Sequence, residues 1–201
     1  MEKILVVCRS NAGRSQMAQA LLRRHLRASA VRSAGTDVRA EGRDGCLLRQ
    51  DIVDGGLPYD VDVSGNRRGQ LMQDDLDWAD HVIVTMPPEE LEQLRSLPRE
   101  EDPRPGDVDA RRLADWLSEH GSKAEFWRVK DIRAGGAGHR SPEQIAETYA
   151  EIDGLARGWV QKRRSDAARQ RAPDNRRQGV AAIPGVKVMT VYRSAIVDAV
   201  E

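Results

Sequence analysis

One join limits the fold of this chain more than any other feature. The apolar run Lys3–Cys8, K-I-L-V-V-C, passes through R-S-N-A-G-R-S directly into a helical pattern. Six residues this apolar and this rich in β-branched side chains read as a strand covered on both faces, the habit of a parallel sheet. From Gly13 onward Met17, Leu21, Leu22 and Leu26 recur at helical spacing, which predicts a helix to about residue 28. A strand feeding a helix through a short loop is half of a parallel β-α-β unit. In open α/β sheets ligands bind just beyond the carboxyl ends of the strands, and that is where the loop from Cys8 to Ser15 falls.

The rest of the chain repeats the alternation. Residues 31–34 predict a strand closed by Gly35. Cys46, Leu47, Leu48, Ile52 and Val53 form a helical stripe that stops at Gly55-Gly56. Residues 60–64 read as extended and 71–78 as a short helix. Residues 81–86, H-V-I-V-T-M, are the second strong strand, and Pro87-Pro88 then opens a helix with Glu89 and Glu90 in its first turn, where acids suit the dipole. A proline-rich loop over 98–106 precedes a helix over 108–120, and residues 126–129 predict a further central strand. Ser141-Pro-Glu-Gln is a capping box with proline at the first helical position, starting a long helix to about Arg164. The expected fold is α/β: three layers, with a central, mainly parallel four-stranded sheet flanked by helices.

The expected domain is residues 1–164, followed by a C-terminal extension over 165–201. The extension is polar and arginine-rich to about residue 185, then strand-like in V-K-V-M-T-V-Y, residues 186–192. That strand either adds to a sheet edge or is exchanged between two subunits, making a homodimer through the extension.

Composition removes several classes. Lys plus Arg and Asp plus Glu both number 32, so no global field points to nucleic acid or an anionic membrane. The basic stretch from Arg157 to Arg177 reads as a solvated helix face, with contact to nucleic acid as the other reading. A mean hydropathy of −0.62 and the lack of a long apolar run give the expectation of a soluble, cytoplasmic chain. Two cysteines cannot build a disulfide framework or a cysteine-based zinc site. The four histidines, 25, 81, 120 and 139, show no metal spacing, so neither metal nor cofactor is expected.

Each position in the loop has a job if the ligand is a tetrahedral oxyanion. A helix start offers free backbone N–H groups and the positive end of the dipole. The amides of Arg9, Ser10, Asn11, Ala12, Gly13 and Arg14 can wrap the anion as a nest. Arg14 can add a charged fork to two oxygens. The same field favours Cys8 as the reactive thiolate, and Ser15 can donate a hydrogen bond to it. Asn11 tolerates left-handed backbone and can hold the loop's shape. The competing reading is a buried structural cysteine with a surface arginine.

The loop, S-A-G-T at residues 33–36 and A-D-H-V-I-V-T-M at 79–86 resemble the low-molecular-weight protein tyrosine phosphatase superfamily, which also contains thiol-dependent arsenate reductases. The resemblance covers roughly residues 3–164. The wording N-A-G-R-S-Q-M-A, and Trp127 followed four residues later by Asp131, are similar to the reductases. M-P-P-E-E-L-E-Q-L is similar to the phosphatases.

The resemblance implies Cys8 as nucleophile, Arg14 as the oxyanion fork and Asp131 as general acid, although Ile132 stands where the family's proline follows that aspartate. Asp131 could instead be a loop aspartate that caps or pairs with an arginine. Ser10 and Gly13 replace a glycine and a second cysteine of many members. Arg133, Ala134 and Gly135 stand where phosphotyrosine-specific members carry aromatics, and Arg133 and His139 either meet a charged substrate or line a flexible loop. Cys46 is expected in the core, with a resolving thiol as the other reading. Asp74 and Asp75 either line the pocket or occupy a helix face. Trp78, Trp116 and Trp159 read as core.

Three functions follow. The first is a cysteine-dependent phosphatase acting on a phosphorylated substrate, such as protein phosphotyrosine, through a thiophosphate intermediate. The second is an arsenate reductase using an external thiol, and the third is a non-catalytic module that binds an anion or a partner.

Overall fold

The computed structural model describes residues 1–27, 29–97, 104–131 and 141–171. Four strands form one sheet: β1 (Lys3–Cys8), β2 (Ala30–Gly35), β3 (His81–Val84) and β4 (Ala124–Phe126). Their order is β2-β1-β3-β4 and every pairing is parallel. This is the α/β architecture that the alternating pattern predicts. Six α-helices accompany the sheet among the described residues: α1 (Arg14–His25), α2 (Gln50–Gly56), α3 (Gln73–Trp78), α4 (Pro88–Ser96), α5 (Ala110–His120) and α6 (Pro142–Arg171).

β1 explains why both faces must be covered. Ile4 and Val6 enter one core with Met17, Leu21 and Leu22 of α1 and Tyr149 and Ile152 of α6. Leu5 and Val7 enter the other with Leu76, Leu91 and Leu113 of α3, α4 and α5. Each of these side chains is worth about 1.5–3 kcal/mol when fully buried. The two layers together clamp β1 so that Cys8 ends at a fixed place, opposite Gly35 in the ladder.

The capping box at α6 forms as its sequence predicts. The Ser141 N–H donates to Gln144 Oε1 at 3.2 Å, and the Gln144 N–H donates to Ser141 Oγ at 3.2 Å. α6 then continues past Arg164 to Arg171, because no proline follows Pro142 until Pro173.

Several local expectations need correction. The stripe from Cys46 does not start a helix there; α2 begins at Gln50. Residue 46 lies instead in a turn, its N–H donating to Arg43 O and its carbonyl accepting from the Arg68 N–H. Cys46 is exposed, and only Leu48 and Ile52 of the stripe are buried. α2 does end at Gly56, as the Gly55-Gly56 pair predicts, and α6 packs close to both glycines. A Cβ on Gly55 would lie 2.5 Å from Ile145 Cγ2 and 2.9 Å from Tyr149 Cε2.

Residues 60–64 join no ladder, although Val61 and Val63 are buried. β4 lies earlier than residues 126–129 and at the sheet edge rather than its centre. Trp127 N–H still reaches Val84 O, but Val129 N–H turns back to Trp127 O and ends the ladder. Of the tryptophans read as core, Trp159 is buried, while Trp78 and Trp116 are half-buried. The strand expected at residues 186–192 lies outside the described residues, as do Arg133, Ala134, Gly135 and His139.

Candidate active site

Cys8 is the last residue of β1, and α1 starts six residues later at Arg14. The loop between them is clasped from three sides. Asn11 adopts φ 45°, the left-handed region that asparagine tolerates. Its Nδ2 donates to Ser15 Oγ at 2.9 Å and to Ser33 Oγ at 3.0 Å. Its Oδ1 accepts from Gln16 Nε2 and from the Gly69 N–H, both at 2.9 Å. Asn66 donates in turn to Gln16 Oε1 at 2.8 Å. On the outer side Arg9 Nε meets Asp37 Oδ2 at 3.1 Å, and Ser10 Oγ donates to Glu41 Oε1 at 2.7 Å. Burial pushes the Asp37 carboxyl up from its ordinary pKa, against the downward pull of Arg9.

This bracing places Cys8 Sγ 2.9 Å from Ser15 Oγ, both buried. When Cys8 is a thiolate only the hydroxyl can donate, and the Asn11 amide at the Ser15 oxygen leaves that proton free to point at sulfur. Arg14, Ser15 and Gln16 open α1, so their N–H groups are the ones a helix start leaves without carbonyl partners. A buried thiol therefore lies at the mouth of a helix N-terminus whose first residue carries a buried guanidinium.

Arg14 is 4% exposed and held by three bonds. Nη1 donates to Glu90 Oε2 at 2.6 Å and to Val129 O at 3.0 Å, and Nη2 donates to Glu90 Oε1 at 2.6 Å. Burial works against its charge, but the Glu90 hydrogen bonds and the negative charges of Cys8, Glu90 and Asp131 outweigh it. The guanidinium pKa is held above its ordinary value.

Asp131 reaches the same place from β4. Trp127 and Val129 are buried, Val129 O is fixed by Arg14, and two residues on Asp131 Oδ1 lies 4.0 Å from Arg14 Nη2. Its side chain is 34% exposed, so solvent reaches the carboxylate. Arg9, Pro87, Glu89, Glu90, Gln93, Leu94 and Asp131 line a cleft of about 410 Å³.

The predicted loop residues, Arg14 and Asp131 thus come together. Asp75 does not line this cleft; its Oδ2 accepts from the Met72 N–H at the start of α3. Sequence reading missed Glu90, whose only visible signal was its place in the first turn of a proline-started helix. Among the described residues no group of three or more His, Cys, Asp or Glu side chains is arranged to hold a metal, and no helix is long and apolar enough to cross a membrane.

A family model described as low molecular weight phosphotyrosine protein phosphatase matches residues 3–170. Wzb of Vibrio vulnificus, solved with benzylphosphonate, is similar at 21% identity and TM-score 0.62, covering 80% of this chain and 98% of that one. The tyrosine phosphatase AmsI of Erwinia amylovora is similar at 17% identity and TM-score 0.61, with 80% and 92% covered. The YwlE arginine phosphatase of Geobacillus stearothermophilus is similar at 19% identity and TM-score 0.62, with 84% and 97% covered. At these identities the structures support the fold alone. No sequence match is found among curated proteins.

Proposed function

We propose, since the chain belongs to the low molecular weight phosphotyrosine protein phosphatase family, that it hydrolyses phosphomonoesters through a thiophosphate on Cys8. The Cys8 thiolate attacks phosphorus while the ester P–O bond breaks, and a protonated Asp131 gives its proton to the departing oxygen. Asp131, now a carboxylate, takes a proton from water as that water attacks the thiophosphate. The S–P bond breaks, phosphate leaves and the thiolate is restored, steadied by the Ser15 hydroxyl. The α1 N–H groups and Arg14 stabilise the equatorial oxygens of both transition states.

The single observation that carries this reading is Cys8 Sγ beside Ser15 Oγ at 2.9 Å, at the start of α1 and beside buried Arg14. Protein phosphotyrosine is the substrate class the family favours. The described cleft walls offer Pro87, Leu94 and carboxylates rather than aromatic rings, so a phosphorylated side chain of another kind fits them equally.

Asp131→Asn tests the proton transfer. Wild type is expected to hydrolyse aryl phosphates near neutral pH without added metal. The variant should lose about 10²-fold on a poor leaving group and far less on an activated one. Equal losses on both, or none, would remove Asp131 as the acid.

Arsenate reduction by an external thiol is the second reading, favoured by N-A-G-R-S-Q-M-A, since a helix N-terminus beside Arg14 suits either tetrahedral oxyanion. Exposed Cys46 is free to act as a thiol rather than as core. Thiol-dependent loss of arsenate, with no ester hydrolysis, would select it. Phosphate binding without either turnover would select a binding module.

A further inference from the structure

From the bonds around Arg14 we infer that Glu90 is a positioning residue, one that turns the guanidinium so that a single edge faces the oxyanion. This rests on the phosphatase reading. A guanidinium has five N–H donors in a rigid plane, and among the described residues three are engaged: Nη1 by Glu90 Oε2 and Val129 O, and Nη2 by Glu90 Oε1. What remains is Nε–H and the second Nη2–H, which lie side by side on one edge. That pair forms a fork matched to two oxygens of a tetrahedral anion. Turning the group about its own bonds would present a different edge, and the two 2.6 Å contacts to one carboxylate oppose that turn.

Glu90 is suited to this because its own position is fixed. Pro88 begins α4, Leu91 beside Glu90 is buried in the core, and the Glu90 side chain is only 19% exposed. The same carboxylate lies in the cleft with Asp131 and Glu89, so its charge opposes a bound phosphate dianion. Glu90 therefore acts in two directions. Its geometry favours the transition state, where the fork must meet the equatorial oxygens, and its charge weakens the ground-state complex.

These effects separate in Glu90→Gln, which keeps the size but loses the charge and one acceptor oxygen. With an aryl phosphate as substrate and inorganic phosphate as inhibitor, kcat is expected to fall about 10- to 100-fold. Inhibition by phosphate should hold or tighten. Glu90→Asp keeps a charged two-oxygen acceptor on a shorter arm and should recover part of kcat.

Unchanged kcat in Glu90→Gln would overturn the inference. So would parallel loss of kcat and phosphate inhibition, the result expected of a residue that only supports the loop. Failure of wild type to turn over any ester would overturn the phosphatase reading itself, whereas wild-type turnover with unaffected variants would remove only the role of Glu90.

Discussion

Arg14→Lys is expected to lower kcat/KM for an aryl phosphate by about 10³-fold. Lysine keeps the charge, so a purely coulombic role would survive the change. The proposed role is geometric, and an ammonium offers no planar fork. One end of the arginine plane is fixed by Glu90 and Val129, and the open edge serves the anion. A lysine in that place cannot satisfy both sides at once. It also leaves a Glu90 oxygen or Val129 O without its donor, at about 1–3 kcal/mol of stability. Thermal unfolding measured beside the kinetics separates the two losses. A fall in activity no larger than the fall in folded fraction would contradict the role given to the fork.

The second large effect is predicted at Gly35, the glycine of S-A-G-T. It pairs with Cys8 across β1 and β2. A Cβ built there would lie 2.6 Å from Arg9 O, 2.6 Å from Asn11 N and 2.7 Å from Val38 Cγ2. Two of those atoms are backbone of the loop, so no rotamer change relieves the clash. Gly35→Ala must move the loop or the strand. The expected result is a kcat loss of at least about 10²-fold together with about 1–3 kcal/mol of lost stability. Gly65, with nothing within 4 Å of an added Cβ, is the matched control, and Gly65→Ala should change neither. Full activity in Gly35→Ala would show that the close approach of β2 does not set the loop.

Two segments of the fold are readable in the sequence. Lys3–Cys8 has one interpretation because every residue after Lys3 is apolar and must be covered from both sides, and a helical pattern follows immediately. Ser141 to Gln144 is equally legible, since both halves of its cap lie within four residues. What the sequence hides is long-range. Glu90 meets Arg14 across 76 residues, and nothing local separates it from Glu89, which pairs instead with Arg128 at 3.3 Å.

Cys46 misleads for the opposite reason. Its spacing with Ile52 and Val53 is helical, but the antiparallel bridge of Leu47 with Arg67 holds that stretch extended and leaves the thiol outside. β4 is hard to place because three residues are too few to show a period. Its apolar neighbours Trp127 and Val129 belong to the core but lie beyond the strand's last residue, Phe126.

The most direct test of the account is rapid chemical quench of wild type and Cys8→Ser with an aryl phosphate labelled in its phosphoryl group. The account predicts a burst of leaving group equal to the enzyme present, with one phosphoryl group recovered on the peptide that contains Cys8. Neither burst nor label should appear in Cys8→Ser. Label on another residue, or wild-type hydrolysis by Cys8→Ser, would contradict it.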